Sequence, residues 1–157
     1  MKITRRTKMG YTIPESLRKE HEELHAELAQ IIKSGGEAGT AAGNVARVLH
    51  PHFLKEEEFA LPPLGLLVSL AAGKVTPDMA GAAKMAGKLK AEMPEMLAEH
   101  REIVGALKPL EEAAKKENKP QAARFAEKLA LHARTEEEVL YPASILAGEF
   151  IGLKLKT

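Results

Sequence analysis

Two stretches of this chain repeat one arrangement of histidine, glutamate and proline. The first reads HFLKEEEFALP from His52 to Pro62, and the second reads HARTEEEVLYP and begins 80 residues later, at His132. In both stretches three consecutive glutamates start four residues after the histidine. Residues i and i+4 of a helix project from the same face, so His52 projects beside Glu56, and His132 beside Glu136. A neighbouring imidazole and carboxylate can bind a metal ion.

A second repeat lies upstream of the first. The segment EHEELHAEL, which contains His21, aligns with EHREIVGAL, which contains His100 and lies 79 residues later. The first copy has a further histidine, His25, one helical turn after His21. The chain therefore has seven candidate metal ligands: His21, His25, His52, Glu56, His100, His132 and Glu136.

If Glu56 and Glu136 are buried in a helical bundle, their negative charges need nearby cations. A carboxylate in a protein core costs several kcal/mol unless a cation meets it. No Lys or Arg recurs in both halves at a helical spacing that would serve Glu56 and Glu136. Two divalent metal ions would serve, because imidazole suits iron, zinc, copper or nickel and because carboxylates bridge paired ions in helical bundles. The spacing alone does not choose among these metals.

The elements that must position these ligands are helices. Ala, Leu, Glu and Lys, all good helix formers, dominate the 157 residues, and only six residues are Phe or Tyr. We predict an all-α fold, an up-down four-helix bundle in which the two repeats form helical hairpins related by an approximate two-fold axis. The prediction is one domain over residues 1–157, with a core at about 14–150 and an N-terminal extension at 1–13.

Turn signals give approximate helix bounds. The first helix begins after Pro14 and ends at SGG, residues 34–36, and the second runs over about 37–60. An apolar connection with two prolines, residues 59–73, leads to a third helix over about 78–116. Pro94 and Pro109 lie inside the third helix, which we expect to be kinked or split. The fourth helix runs over about 120–150, with a break near Pro142.

Composition excludes several classes of function. The absence of cysteine excludes disulfides, thiolate zinc sites and cysteine nucleophiles, and fits a reducing cytoplasm. A net charge of +1 gives no strong field toward nucleic acid or an anionic membrane, and the basic residues near the N-terminus (Lys2, Arg5, Arg6 and Lys8) are typical of a solvated tail. No apolar segment has the length of a membrane helix or the position of a signal peptide. We expect a cytoplasmic protein that binds neither nucleic acid nor membranes.

These residues resemble the hemerythrin-like family, also described as HHE cation-binding domains. The resemblance covers about residues 14–150, and the family pattern is one histidine per helix, with a carboxylate four or five residues after the histidine on the second and fourth helices. It implies a non-haem centre of two iron ions with an oxo or hydroxo bridge. Family members reversibly bind dioxygen, sense oxygen or iron, or act on peroxide or nitric oxide.

The resemblance also implies roles for individual residues. His21, His52, His100 and His132 would be terminal ligands, and Glu56 and Glu136 would bridge the ions. The best-known members carry their additional histidine on the third helix, whereas this chain carries His25 on the first and has Val104 after His100. We infer from the internal repeat that one iron takes His21, His25 and His52. The other would then take His100 and His132 and keep an open position.

Other interpretations of the same residues were weighed. Ferritin-like bundles need Glu-x-x-His on two helices, but only Glu22 and His25 have this spacing here. His50 lies about 200° around a helix from His52, so we expect it to be exposed. Glu57, Glu58, Glu137 and Glu138 are expected on solvated faces or as partners of ligand histidines. Glu23 and Glu102 are also candidate partners, and Tyr141 is expected to pack or to reach the site.

Three functions remain open on sequence grounds. The first is binding of dioxygen or a related small ligand for sensing, carriage or delivery. The second is an enzyme that acts on peroxide, nitric oxide or dioxygen at the same centre. The third is iron handling or storage. A sensor would need a separate protein partner, which the sequence does not identify.

Overall fold

The structure is a computed structural model that describes residues 11–156, and this part of the chain contains helices and no strand. The all-α prediction is confirmed. The α-helices are α1 (Glu15–Lys33), α2 (Gly36–Lys55), α3 (Leu67–Ala71), α4 (Ala80–Lys116), α5 (Pro120–Thr135) and α6 (Tyr141–Leu155). Short 3₁₀ turns at Pro62–Leu66 and Pro77–Met79 flank α3. Helix α4 packs against α2, α5 and α6, and α1 packs against α2 and α5.

A π-helical segment follows the ligand histidine in each half of the chain. Glu56–Ala60 continues α2, and Glu136–Leu140 joins α5 to α6. The Leu61 N–H donates to the Glu56 carbonyl at 2.9 Å, five residues back. Pro62 and Pro142 are the second residues after these segments, and a proline ring collides with the carbonyl four residues before it, so the wider turn relieves that collision. Each glutamate triplet therefore lies on distorted helix.

Helix α4 is one helix of 37 residues, although Pro94 and Pro109 lie inside it. The missing proline N–H groups would have bonded to the carbonyls of Lys90 and Gly105, four residues earlier. All four residues are exposed, so water can satisfy these carbonyls. Of the two predicted alternatives, a kinked helix or a split one, the split is therefore absent.

Two apolar layers lie on either side of the candidate ligands along the helices. One layer contains Leu49 and Ile103, one turn from His52 and His100, and extends to the α1–α2 and α4–α5 turns. The other contains Phe59, Leu89, Met96 and Tyr141. Each large apolar side chain removed from water contributes about 1.5–3 kcal/mol. The two layers hold the helices in place around the polar groups between them.

Close helix contacts fix the position of α6 against α4. A Cβ atom at Gly148 would lie 2.3 Å from the Cβ of Ala86, so only glycine allows this approach. At the opposite end of the bundle, the Glu117 carboxylate accepts hydrogen bonds of 2.9 Å from the backbone N–H groups of Glu37 and Ala38, which caps α2. Both ends of the bundle are thereby held.

Residues 11–13 of the predicted N-terminal extension lie within the described part of the chain. Tyr11 is buried in a cluster with Leu70, Met79, Ala82, Ala147 and Ile151, so the packed region begins before Pro14. The basic residues at positions 2–8 lie outside the described residues. Within residues 11–156, no helix combines the length and apolar character needed to cross a membrane.

Candidate metal centre

Six of the seven predicted ligands meet in the interior of the bundle. Each is at most 5% exposed, although histidine and glutamate usually lie at the surface. The histidines His21, His52, His100 and His132 come from α1, α2, α4 and α5 in that order, and Glu56 and Glu136 begin the π-helical segments after α2 and α5.

The six residues form two groups that share both carboxylates. His21 and His132 form one group with Glu56 and Glu136, and His52 and His100 form the other with the same two glutamates. Within each group the ligand atoms lie within 4.8 Å of one another. Ligand atoms about 2.0–2.2 Å from one ion are separated by such distances. The structure groups His21 with His132 of neighbouring α5, whereas the sequence led us to expect His21 and His52 at the same ion.

Both carboxylates extend across the two groups. Oε2 of Glu56 lies 3.3 Å from Nε2 of His21, while its Oε1 lies 2.9 Å from Nε2 of His52. Oε1 of Glu136 lies 3.3 Å from Nε2 of His100, while its Oε2 lies 3.4 Å from Nε2 of His132. Each carboxylate thus presents one oxygen to each group, which is the arrangement of a bridging ligand.

The group around His21 and His132 contains four buried polar atoms without hydrogen bonds. They are Nε2 of His21 and of His132 and Oε2 of Glu56 and of Glu136, and none makes a hydrogen bond within residues 11–156. An unsatisfied buried polar atom costs about 1–3 kcal/mol. One cation between these atoms would satisfy all four, so the donor set fits a metal ion.

The electrostatics also indicate that positive charge belongs here. Burial lowers the pKa values of His21 and His100, but the glutamate carboxylates beside each ring outweigh it and raise both pKa values to about 9. Burial and the adjacent charge of Glu56 raise the pKa of Glu136. Burial opposes ionisation of Glu56, but hydrogen bonds from Glu136 and the histidines hold its pKa well below the usual value. In the metal-free protein, protons on these groups supply the positive charge that bound metal ions would otherwise supply.

Carboxylates also lie beside the outer nitrogens of the histidines. Nδ1 of His52 is 2.8 Å from Glu99, and Nδ1 of His132 is 2.5 Å from Glu20. Glu20 and Glu99 directly precede His21 and His100 in the two EH segments. Such partners fix the tautomer that leaves Nε2 free to bind a metal.

Members of the glutamate triplets lie near the two remaining Nδ1 atoms, but only one of them is within hydrogen-bond distance. Nδ1 of His100 lies 2.9 Å from Glu137, and Nδ1 of His21 lies 3.8 Å from Glu57, which is beyond hydrogen-bond length. The alternative partner Glu23 instead lies 3.7 Å from Lys128 at the surface. The other alternative, Glu102, is exposed.

Of the four carboxylates beside the Nδ1 atoms, one, Glu99, also forms a salt bridge with a lysine, Lys55 of the first HFLKEEE stretch. Nζ of Lys55 lies 2.5 Å from Glu99 and 3.1 Å from Glu95. Burial raises the pKa of Glu99, but Lys55 and His52 outweigh this effect and lower it. Position 135, which aligns with Lys55 in the repeat, is threonine. The environments of His52 and His132 therefore differ in charge.

Tyr141 is a site residue whose role the sequence left open. Its hydroxyl donates to Oε1 of Glu56 at 2.5 Å, and it lies 3.2 Å from Nε2 of His52 and 3.1 Å from Nε2 of His100. Burial and the carboxylates of Glu56 and Glu136 raise its pKa. The phenol oxygen therefore belongs to the His52 and His100 group, and its counterpart in the repeat is Leu61.

The seventh predicted ligand, His25, lies in neither group. Its ring stacks on His50, with centroids 4.8 Å apart, and meets Phe53 edge-on at 5.0 Å. Phe53 in turn stacks on His21 at 3.9 Å. The phenyl ring of Phe53 thus lies between His25 and the centre. Burial and the neighbouring His50 lower the pKa of His25, and His50 is exposed, as predicted.

Comparison with known proteins agrees with this geometry. The family model described as the hemerythrin HHE cation-binding domain matches residues 12–144. No curated protein and no solved structure gives a significant match. The matched region contains every residue of both groups and Tyr141, so the chain belongs to the hemerythrin HHE cation-binding family.

Proposed function

We propose that this chain is a non-haem di-iron protein that binds dioxygen or a related small ligand. The supporting observation is that Glu56 and Glu136 each direct one oxygen to both histidine pairs. This arrangement suits two ions held side by side rather than one. Iron is proposed because the chain belongs to the hemerythrin family, and the imidazole and carboxylate donors suit it.

The proposed ligand set consists of the six buried residues and Tyr141. One ion lies between His21 and His132, the other lies between His52 and His100, and Glu56 and Glu136 serve both. His25 is left out of the set because the Phe53 ring separates it from His21. A pair of such ions supplies adjacent redox-active sites that can take up a small oxygen-containing ligand.

The phenol makes the two ion positions chemically unequal. Tyr141 adds a fifth donor near His52 and His100, whereas the position near His21 and His132 has four. We therefore assign the small ligand to the His21 and His132 side. There the Phe53 ring stacks on His21 and gives this side an apolar wall.

An enzyme that acts on peroxide or dioxygen is the second candidate, and Tyr141 is the observation that favours it. Its buried hydroxyl donates to Glu56 at the shared edge of both groups. A proton donor held in this place could deliver a proton to a reacting oxygen atom. Binding without turnover needs no such donor.

Optical spectroscopy of the reduced, iron-loaded protein separates the two functions. The protein is prepared without oxygen, exposed to air and then returned to an oxygen-free atmosphere. A new absorption band that disappears and returns over repeated cycles supports ligand binding. Irreversible oxidation on first exposure, together with oxygen release on addition of peroxide, supports the enzyme instead.

A matched pair of variants shows whether the signal comes from the proposed centre. Glu136→Gln removes a shared carboxylate, whereas Glu138→Gln changes an exposed member of the same triplet. We expect the first variant to lose the iron and the optical response, and the second to keep both. Equal behaviour of the two variants contradicts the proposed ligand set.

A further inference from the structure

A groove of about 360 Å³ lies between α4 and α5 and reaches His100. Small side chains line it, with Val104 and Gly105 on α4 and Ala130 and Ala133 on α5. A Cβ atom added at Gly105 would meet no neighbouring group within 4 Å, so the space beside this helix is open. Small-molecule sites in proteins usually have volumes of roughly 300–1,000 Å³. The groove therefore has room for a small ligand.

Three basic side chains also line the groove, and none of them has an anionic partner. Arg101, Lys108 and Arg134 are exposed, and within residues 11–156 none of them makes an ion pair or a hydrogen bond. Glu137 is the one acidic residue of the lining, and it already lies 2.9 Å from Nδ1 of His100. The groove is therefore positively charged, with guanidinium groups that can bind a carboxylate or phosphate through paired hydrogen bonds.

The first half of the repeat indicates which shape fits this space. The aligned positions there carry aromatic rings: His25 aligns with Val104, His50 with Ala130, and Phe53 with Ala133. The three rings pack against one another, and Phe53 stacks on His21 with centroids 3.9 Å apart. Valine and alanine have no ring to place on His100. The same arrangement of helices thus accommodates planar rings in one half and leaves a groove in the other.

The basic residues are also restricted to the second half. Arg101 aligns with Glu22, Lys108 with Ala29, and Arg134 with Leu54. Glu22 itself forms an ion pair of 2.6 Å with Arg18. Open space and unpaired positive charge therefore occur together, on the side of His100.

We propose that the groove between α4 and α5 binds a small planar anion, an aromatic ring that carries a carboxylate or phosphate group. The ring lies over the small residues, where the first half of the repeat has rings of its own. The anionic group binds among Arg101, Lys108 and Arg134. The site does not depend on the proposed function, because none of these three residues belongs to the two groups of candidate metal ligands.

Fluorescence titration with 2-naphthoate tests the site, because this probe combines a planar ring with one carboxylate. We expect saturable binding with a Kd of about 1 mM or below, which suits a ligand of this size. The uncharged 2-naphthamide and the ring-free acetate should bind about tenfold more weakly, since each lacks one of the two features. A Kd for 2-naphthoate above about 10 mM, or equal binding of 2-naphthamide, overturns the proposal.

Variants show whether the probe binds in this groove. Arg101→Gln and Arg134→Gln should each weaken binding about three- to fivefold, the effect of one exposed ion pair. Gly105→Phe should abolish binding because its ring occupies the groove, and it should fold because phenylalanine suits a helix better than glycine. Arg124→Gln changes an exposed arginine of α5 that does not line the groove, and it should bind as the wild type does.

Two results with these variants overturn the proposal. One is wild-type affinity in Gly105→Phe and in both groove arginine variants, with circular dichroism showing that the proteins are folded. The other is a loss in Arg124→Gln equal to that in Arg134→Gln, which would show that the probe responds to surface charge in general.

Discussion

The hydroxyl of Tyr141 lies 2.5 Å from Oε1 of Glu56, and the two residues come from different halves of the repeated sequence. Glu56 begins the first π-helical segment, and Tyr141 directly follows the second. In an α-helix, a residue five positions after Glu136 points about 140° away from it. The π turn brings residues five apart into alignment, so Tyr141 faces the centre together with Glu136.

Removing the phenol oxygen should change the ion near His52 and His100 more than the other ion. We expect Tyr141→Phe to fold, with a loss of about 1–3 kcal/mol for the buried hydrogen bond. The ferric protein should lose the visible absorption that a phenolate ligand gives to iron. Tyr11→Phe, the change at the other tyrosine of the chain, is the control and should keep the band. A band of equal strength in Tyr141→Phe excludes this residue as a ligand.

The carboxylate beside His52 should affect metal affinity without touching the metal. Glu99→Gln removes the charge that orients the His52 imidazole, and loss of such a partner lowers affinity about 10- to 100-fold. Glu95→Gln removes only a contact with Lys55 at the surface and should have little effect. Competition with a chelator measures both affinities. Similar affinities for the two variants would show that Glu99 does not position His52.

The sequence was sufficient to find the six buried candidate ligands but not how they group. His52 with Glu56, and His132 with Glu136, could be predicted because residues four apart share a helical face. The pairing of His21 with His132 depends on which helices are neighbours across the bundle, and no local spacing contains that information.

The residues whose roles the sequence left open or missed have a different explanation. Tyr141 depends on the π turn, whose only sequence signal is the proline ten residues after each histidine. The partner of His132 is Glu20 rather than Glu23, because the residue directly before His21 is turned toward α5. Both halves of the sequence share the dipeptide EH, and its glutamate could have been predicted to bind the outer nitrogen of a histidine on a neighbouring helix. Helix α4 remains continuous because its prolines are exposed, which local propensity alone does not reveal.

The metal-free protein should lose stability as the pH rises. The pKa values of His21 and His100 are about 9 in the folded protein, above the ordinary value of 6.5. Their protonated forms therefore contribute stability that is fully present below about pH 6.5 and is lost as the pH rises toward 9. Urea unfolding in the presence of a chelator measures this change. A free energy of unfolding that increases over this range contradicts the assigned pKa values.

Metal affinity should have the opposite pH dependence. The ion binds the unprotonated imidazoles and the ionised glutamates, so protons compete with it. Affinity should therefore rise between pH 6.5 and 9, while the stability of the metal-free protein falls. The measurement is a chelator competition at each pH. Affinity that is independent of pH would show that His21 and His100 are not ligands.

Metal binding should stabilise the fold substantially. At a free metal concentration about 1,000-fold above Kd, binding contributes about 4 kcal/mol. For a chain of this length the corresponding rise in Tm is roughly 10 °C. Thermal unfolding with and without iron measures it, and Glu136→Leu should abolish the iron-dependent shift because it removes a shared ligand. A wild-type Tm unaffected by iron contradicts a buried centre.

Anomalous diffraction at the iron absorption edge, from crystals of the iron-loaded protein, tests the central claim most directly. The account predicts two peaks about 3.5–4 Å apart, as in other paired-metal sites. One peak should lie between His21 and His132 and the other between His52 and His100, both within bonding distance of Glu56 and Glu136. A single peak, or peaks only at the surface with the buried glutamates free of metal, would contradict it.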